Sequence, residues 1–117
     1  MPGVSIHVVD VSRGVVAAGM RVELAASEAS GERLIAAGRI GASGLLVDPQ
    51  LDRTLSTGFY VARFHIAEYY GNATGEAPAV PFLDVISYRF GLADPASHYH
   101  LPMKCTPWGY SCFRGGA

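Results

Sequence analysis

His98 and His100 stand two residues apart in "SHYHLPMKCTPWGYSCFRGGA", the closing stretch of a 117-residue chain, and Lys104 follows four residues after His100. Successive side chains of an extended strand face opposite sides. His98, His100, Pro102 and Lys104 therefore share one face, and Tyr99, Leu101, Met103 and Cys105 the other. The second face is apolar and suits a core. Two imidazoles and an ammonium make the first either a wetted surface or the lining of a site. His7 falls in the same way on the polar face of "VSIHVVD", beside Ser5 and Val9, with Val4, Ile6 and Val8 opposite. An imidazole with an ordinary pKa near ~6.5 gives and takes protons at neutral pH, so a fold that joined His7 to His100 would create an acid–base pair. HxH on one strand is also a weak metal-ligand pattern that needs a third ligand from elsewhere. The expectation is no metal.

Positioning such residues falls to strands. "VSIHVVD", "MRVELAA", "GERLIAAGRI", "LLV", "GFYVARFHI", "PFLDVISYRF" and the closing stretch alternate or are rich in β-branched and aromatic residues, with turn signals such as "GASG" between them. One short helix is expected over "AEYYGNA", ending near Gly71, followed by a loop in "GEAPAVP", where closely spaced prolines exclude a central strand. Many short strands with one helical turn predict an all-β sandwich. The length predicts a single domain over 1–117.

Composition narrows the function classes. Half of the residues are hydrophobic and only 16% are charged, enough apolar matter for a packed core. Nine basic residues against ten acidic ones, without a basic run, give no reason to expect nucleic acid. No apolar run approaches the ~20 residues that span a bilayer, and the N-terminus lacks the basic and cleavage regions of a secretory signal. A cytoplasmic protein without membrane partners is expected. Cys105 and Cys112 do not form a disulfide framework or a CxxC pair, and parity puts both on apolar faces as buried free thiols. Phosphate loops, GxSxG elbows and HExxH motifs are missing from the chain.

"SIHVVDVSRGVVAAGMRVEL", "GFYVARFHIAEYYGNATG" and above all "HYHLPMKCTPWGYSCFRGG" resemble the transthyretin-related family whose enzymes are 5-hydroxyisourate hydrolases, which closes in HYHxPLLLSPYGYSTYRGS. The resemblance covers nearly the whole chain. It implies a transthyretin-like β-sandwich of two four-stranded sheets with one short helix, assembled as a homotetramer, a dimer of dimers with its sites in the channel between dimers. It also implies hydrolytic opening of a small heterocycle in purine metabolism without a cofactor. Carried over by position, the catalytic histidines fall on His7 and His100. Leu45, Lys104, Ser111, Phe113, Arg114 and Gly116 fall on channel or substrate-contact positions.

Several of these positions depart from the family pattern. Leu45, in "GASGLLVDP", stands where the family has an arginine. Leucine cannot make that group's forked, charge-assisted bonds, which are worth on the order of 2 to 4 kcal/mol in a transition state. Phe113-Arg114-Gly115-Gly116 replaces Tyr-Arg-Gly-Ser, with Ala117 beyond, so a hydroxyl and the terminal carboxylate are lost or displaced. Lys104 replaces an apolar channel residue about 13 Å along the strand from His100. It could act as a substitute cation, as an amine base or Schiff-base nucleophile, or as a lysine in a wet channel. Other functions remain open: a relative recruited to cyclisation or isomerisation of another metabolite, or a small-ligand carrier. Retention of both His7 and His100 favours an enzyme. His65 is expected to cap the helix poorly, and His98 to brace its strand or rim the channel.

Overall fold

A computed structural model describes residues 2–116. Its strands are β1 (Gly3–Asp10), β2 (Val15–Val16), β3 (Arg21–Glu28), β4 (Gly31–Arg39), β5 (Gly58–His65), β6 (Val85–Leu92), β7 (His98–Thr106) and β8 (Gly109–Cys112), and α1 (Ile66–Thr74) follows β5. They form two four-stranded sheets, in the orders β2-β1-β7-β8 and β4-β3-β5-β6. The expected two-sheet sandwich with one short helix is thus observed. Each strand's alternation decides its buried face. Val4, Ile6 and Val8 of β1 and Tyr99, Leu101, Met103 and Cys105 of β7 meet Val22 and Leu24 of β3 and Tyr60, Ala62 and Phe64 of β5 in one core.

"LLV" is the one expected strand that does not form. Leu45 and Leu46 make only isolated bridges, to His7 and Ile40. A tight turn explains this, with Gly44 N–H donating to Gly41 O and Gly41 N–H to Leu45 O. The turn is stitched to β1 by Val8 N–H to Gly44 O at 2.9 Å and Leu46 N–H to Ile6 O at 3.0 Å.

Asp10, the last residue of β1, fastens α1 to the first sheet. Its fully buried carboxylate accepts from Tyr70 OH at 2.7 Å, Tyr69 OH at 2.9 Å and Ser12 Oγ at 2.7 Å. Burial alone would raise its pKa, but these bonds and Arg13 N–H outweigh it and hold the carboxyl below its ordinary value. His65 occupies the N-cap of α1 without a side-chain capping bond, as expected, and instead meets Glu23 at 2.6 Å. Gly75 closes the helix in the left-handed region at φ 74°. Of the two thiols, Cys105 is buried as expected, whereas Cys112 on edge strand β8 is half-buried. Burial pushes each up to about 11.

Candidate active site

The parallel pairing of β1 with β7 joins the two histidine-bearing strands. Ser5 lies opposite His100, His7 opposite Pro102 and Val9 opposite Lys104. On the far side of β7, Lys104 faces Ser111 of β8, and Gly115 bridges His100. The outward face of this sheet is therefore a grid, with one row of Ser5, His100 and Gly115, a second of Leu45, His7 and Pro102, and a third of Val9, Lys104 and Ser111. Adjacent strands lie ~4.8 Å apart and alternate residues ~6.6 Å apart. His7 is consequently about 8 Å from both His100 and Lys104, Cα to Cα, by the same strand geometry.

A chain of hydrogen bonds orients His100. Ser5 Oγ stands 2.6 Å from His100 Nδ1 and 2.8 Å from His98 Nε2, while His98 Nδ1 stands 3.4 Å from Pro2 O. The Pro2 carbonyl can only accept, so His98 Nδ1 carries a proton, and in the one-proton form of that ring Nε2 accepts. Ser5 then donates to His98 and accepts from His100 Nδ1–H. His100 Nε2 is left with the lone pair, because the partner of one ring nitrogen decides the role of the other. Burial first, and then the neighbouring imidazoles of His7 and His98, hold the His100 pKa below its ordinary 6.5. The ring is therefore neutral and able to accept a proton at neutral pH. At His7 the Nε2–H donates to Ser43 O at 3.2 Å.

Glycine walls each imidazole. Gly44 sits at φ +85°, where a Cβ would overlap the His7 ring, and a Cβ at Gly115 would lie 2.9 Å from His100 Cδ2. Ser5, Gly44 and Gly115 carry no role in the sequence reading. Strand parity alone places Ser5 on the His7 face, but its contact with His100 depends on the β1–β7 register, and nothing in the sequence marks the two close approaches.

Of the remaining expected contacts, Leu45 flanks His7 and is partly exposed, and Ser111 and Phe113 are exposed beside β7. Arg114 lies with its guanidinium 4.0 Å over the ring of Tyr99, a core-facing residue, and Gly116 is exposed beyond Gly115. Ala117 lies outside the described residues. Among the described residues no three His, Cys, Asp or Glu side chains converge as metal ligands. An apolar hollow of about 330 Å³ between α1, Phe82 and Trp108 includes neither imidazole. The arrangement thus offers a neutral base and a second imidazole on an open sheet face, suited to moving protons on and off a small bound molecule.

Fold and site together define a transthyretin-like sandwich with a histidine pair on the outward face of one sheet. The chain belongs to the HIUase/transthyretin family, whose model matches residues 4–115. It is 37% identical to a 5-hydroxyisourate hydrolase of Deinococcus radiodurans, covering 97% of this chain and 96% of the relative. It is 40% identical to that of Halalkalibacterium halodurans, covering 96% of each. Among solved structures, (S)-allantoin synthase superposes with a TM-score of 0.86 at 31% identity over 97% of this chain, which spans 43% of that longer one. The Klebsiella pneumoniae 5-hydroxyisourate hydrolase shares the fold with a TM-score of 0.79 over 99% of this chain and 100% of its own, at 24% identity.

Proposed function

We propose that the protein is a hydrolase that opens a cyclic amide by attack of water, with 5-hydroxyisourate as its first substrate and His7 and His100 as proton carriers. The observation behind this reading is the hydrogen-bond chain through Ser5, which leaves the His100 Nε2 lone pair one register step from His7. His100 Nε2 takes a proton from water as the oxygen attacks the carbonyl carbon. The ring C–N bond then breaks, and the proton taken up by His100 passes, directly or through one water, to the lone pair of His7 Nδ1, the nitrogen not occupied by Ser43, and from there to the departing nitrogen. Both imidazoles finish neutral, with the proton of the attacking water now on the departing nitrogen. The named hydrolase relatives support the substrate class.

The active form is proposed to be a homotetramer whose opposing dimer covers the imidazole face. In the single chain that face is open, with Leu45 37% and Phe113 45% exposed, and β8 is an unpaired sheet edge. Water around a polar substrate would weaken every electrostatic contact, which a second copy would prevent. Light scattering of the purified protein tests the assembly, with a monomer at working concentration as the opposing result.

The test of the reaction is the absorbance decay of freshly generated 5-hydroxyisourate. Acceleration above the spontaneous rate, lost on His7→Gln and on His100→Gln in folded protein, is expected. An unaccelerated decay removes this substrate. A second reading draws on the likeness to part of (S)-allantoin synthase and on Leu45 beside His7: a relative recruited to cyclise or isomerise another heterocycle. It predicts no hydroxyisourate turnover and an activity on that other substrate that still needs both imidazoles.

A further inference from the structure

Two imidazoles account for proton movements, yet an attacked carbonyl also gathers negative charge that protons alone do not hold during the attack. The row through His7 offers nothing for it, since Leu45 and Pro102 are apolar. The next row holds Lys104, exposed and opposite Ser111. It is the single lysine of the chain. On the outward face of the other sheet and the helix beside it, cations are already engaged: Arg63 with Glu32 at 2.6 Å, Arg21 with Glu68 at 3.0 Å and Arg89 over Phe59. Among the described residues Lys104 makes no hydrogen bond or ion pair, and it is the only cationic Lys or Arg side chain on the imidazole face. His7 lies midway between it and His100, and the lysine's flexible four-carbon stem lets the ammonium swing over His7.

We infer that Lys104 receives the anionic, oxygen-rich edge of a small heterocyclic ligand bound across His7 and His100, and so fixes which carbonyl the imidazoles address. This rests on the proposed role of the imidazole pair. The ligand would lie diagonally, with its charged edge toward Lys104 and Ser111 and its scissile amide between the rings. A point-like ammonium suits one concentrated oxyanion or carboxylate better than a forked contact. Selectivity should therefore follow ligand charge more than ligand shape.

The test uses Lys104→Met, which keeps the length, and Lys104→Arg, which keeps the charge. Urate serves as a non-hydrolysed anionic probe and 5-hydroxyisourate as the substrate. Expected are urate binding weakened about tenfold or more in the Met variant and kept within about threefold in the Arg variant, with KM rising accordingly. Because amine reagents can modify only one side chain here, urate should also protect Lys104 from acetylation, read by mass spectrometry. Equal urate affinity in wild type and the Met variant, or no urate binding by wild type, overturns the inference. A borohydride-stable adduct on Lys104 with a carbonyl substrate overturns it in favour of covalent chemistry. If wild type binds urate but leaves hydroxyisourate unaccelerated, the proposed function falls, while the Met variant's urate affinity still decides the lysine.

Discussion

Replacing Ser5 with alanine should disable His100 without touching either imidazole. The hydroxyl is the only described partner of His98 Nε2 and of His100 Nδ1, at 2.8 and 2.6 Å. A neutral hydrogen bond contributes about 0.5–1.5 kcal/mol net, and a buried polar atom left alone costs about 1–3 kcal/mol. Both rings are half-buried, so water can refill the gap and the loss of stability should stay near 1 kcal/mol, at the low end of those ranges. The kinetic effect should be larger than that. Without an acceptor at Nδ1, His100 spends part of its time with the proton on Nε2, and a general base contributes about 10²–10⁴-fold to rate. Losing part of that should lower kcat/KM about tenfold to a hundredfold, equivalent to about 1.4–2.8 kcal/mol of barrier. Ser5→Thr keeps the hydroxyl on a residue that suits strands and should restore most of the activity. His98→Phe should be at least as harmful as Ser5→Ala, because Ser5 would then be free to donate to His100 Nδ1 and push the proton onto the wrong nitrogen. Initial rates of hydroxyisourate decay measure the loss, and nitrogen NMR of the imidazoles reads the tautomer directly. A folded Ser5→Ala protein with wild-type kcat/KM and an unchanged His100 tautomer would refute the orientation chain.

The depressed His100 pKa places the acid limb of kcat/KM below 6.5, with a plateau through neutral pH, to be read from a pH–rate profile. Asp10, whose folded pKa is also depressed, contributes stability that is complete above the ordinary carboxyl pKa and is lost as pH falls through the lower folded value. Thermal midpoints should be flat from pH 7 to about 5 and fall below about 4, and Asp10→Asn should cost about 1–3 kcal/mol at pH 7 because a tightly satisfied acceptor is broken. Gly44→Ala should both destabilise the fold by more than about 1 kcal/mol, since alanine is strained at φ +85°, and displace His7, so that activity falls further than stability. Cys105 and Cys112, with thiols pushed up to about 11, should resist iodoacetamide at pH 7.5 and react after denaturation, a difference that peptide mass mapping detects.

Faces were legible in the sequence; neighbours across strands were not. Period-two alternation is a property of one strand, and it sorted His98, His100 and Lys104 from Tyr99, Leu101 and Met103 without knowledge of any partner. It likewise separated His7 from Ile6 and Val8. The resemblance supplied the pairing of His7 with His100, and the β1–β7 register agrees with bringing their strands together. What escaped depends on distances between segments far apart in the chain. Ser5 acquires a role only because β1 runs parallel to β7, 93 and 95 residues away in sequence from His98 and His100. Lys104, measured along its own strand, looked remote from the imidazoles, yet counted across the sheet it is a close diagonal neighbour of His7. "LLV" had the composition of a strand but too short a run after a glycine turn to make more than bridges.

The two outward faces of the sandwich show why only one suits chemistry. On the β3–β5 side, charges neutralise one another locally: Glu23 meets His65, Glu32 meets Arg63, and Glu68 takes both Arg21 and Arg39. A group already paired offers little net attraction to a ligand, which would have to displace that partner first. On the β1–β7 side, polar groups are oriented but not neutralised. Ser5 spends its hydrogen bonds in setting a proton's position, and no described carboxylate lies on that face to quench His7, His100 or Lys104. Glycine at 44 and 115 keeps the rings accessible where a methyl group would cover them. Desolvation acts on this face in a useful direction, since it keeps His100 neutral and so available as a base, and it would strengthen the pull of an unpaired ammonium on an anion. A carrier needs the ammonium and the apolar rows. The oriented lone pair on His100 has a use only if a proton is to be moved.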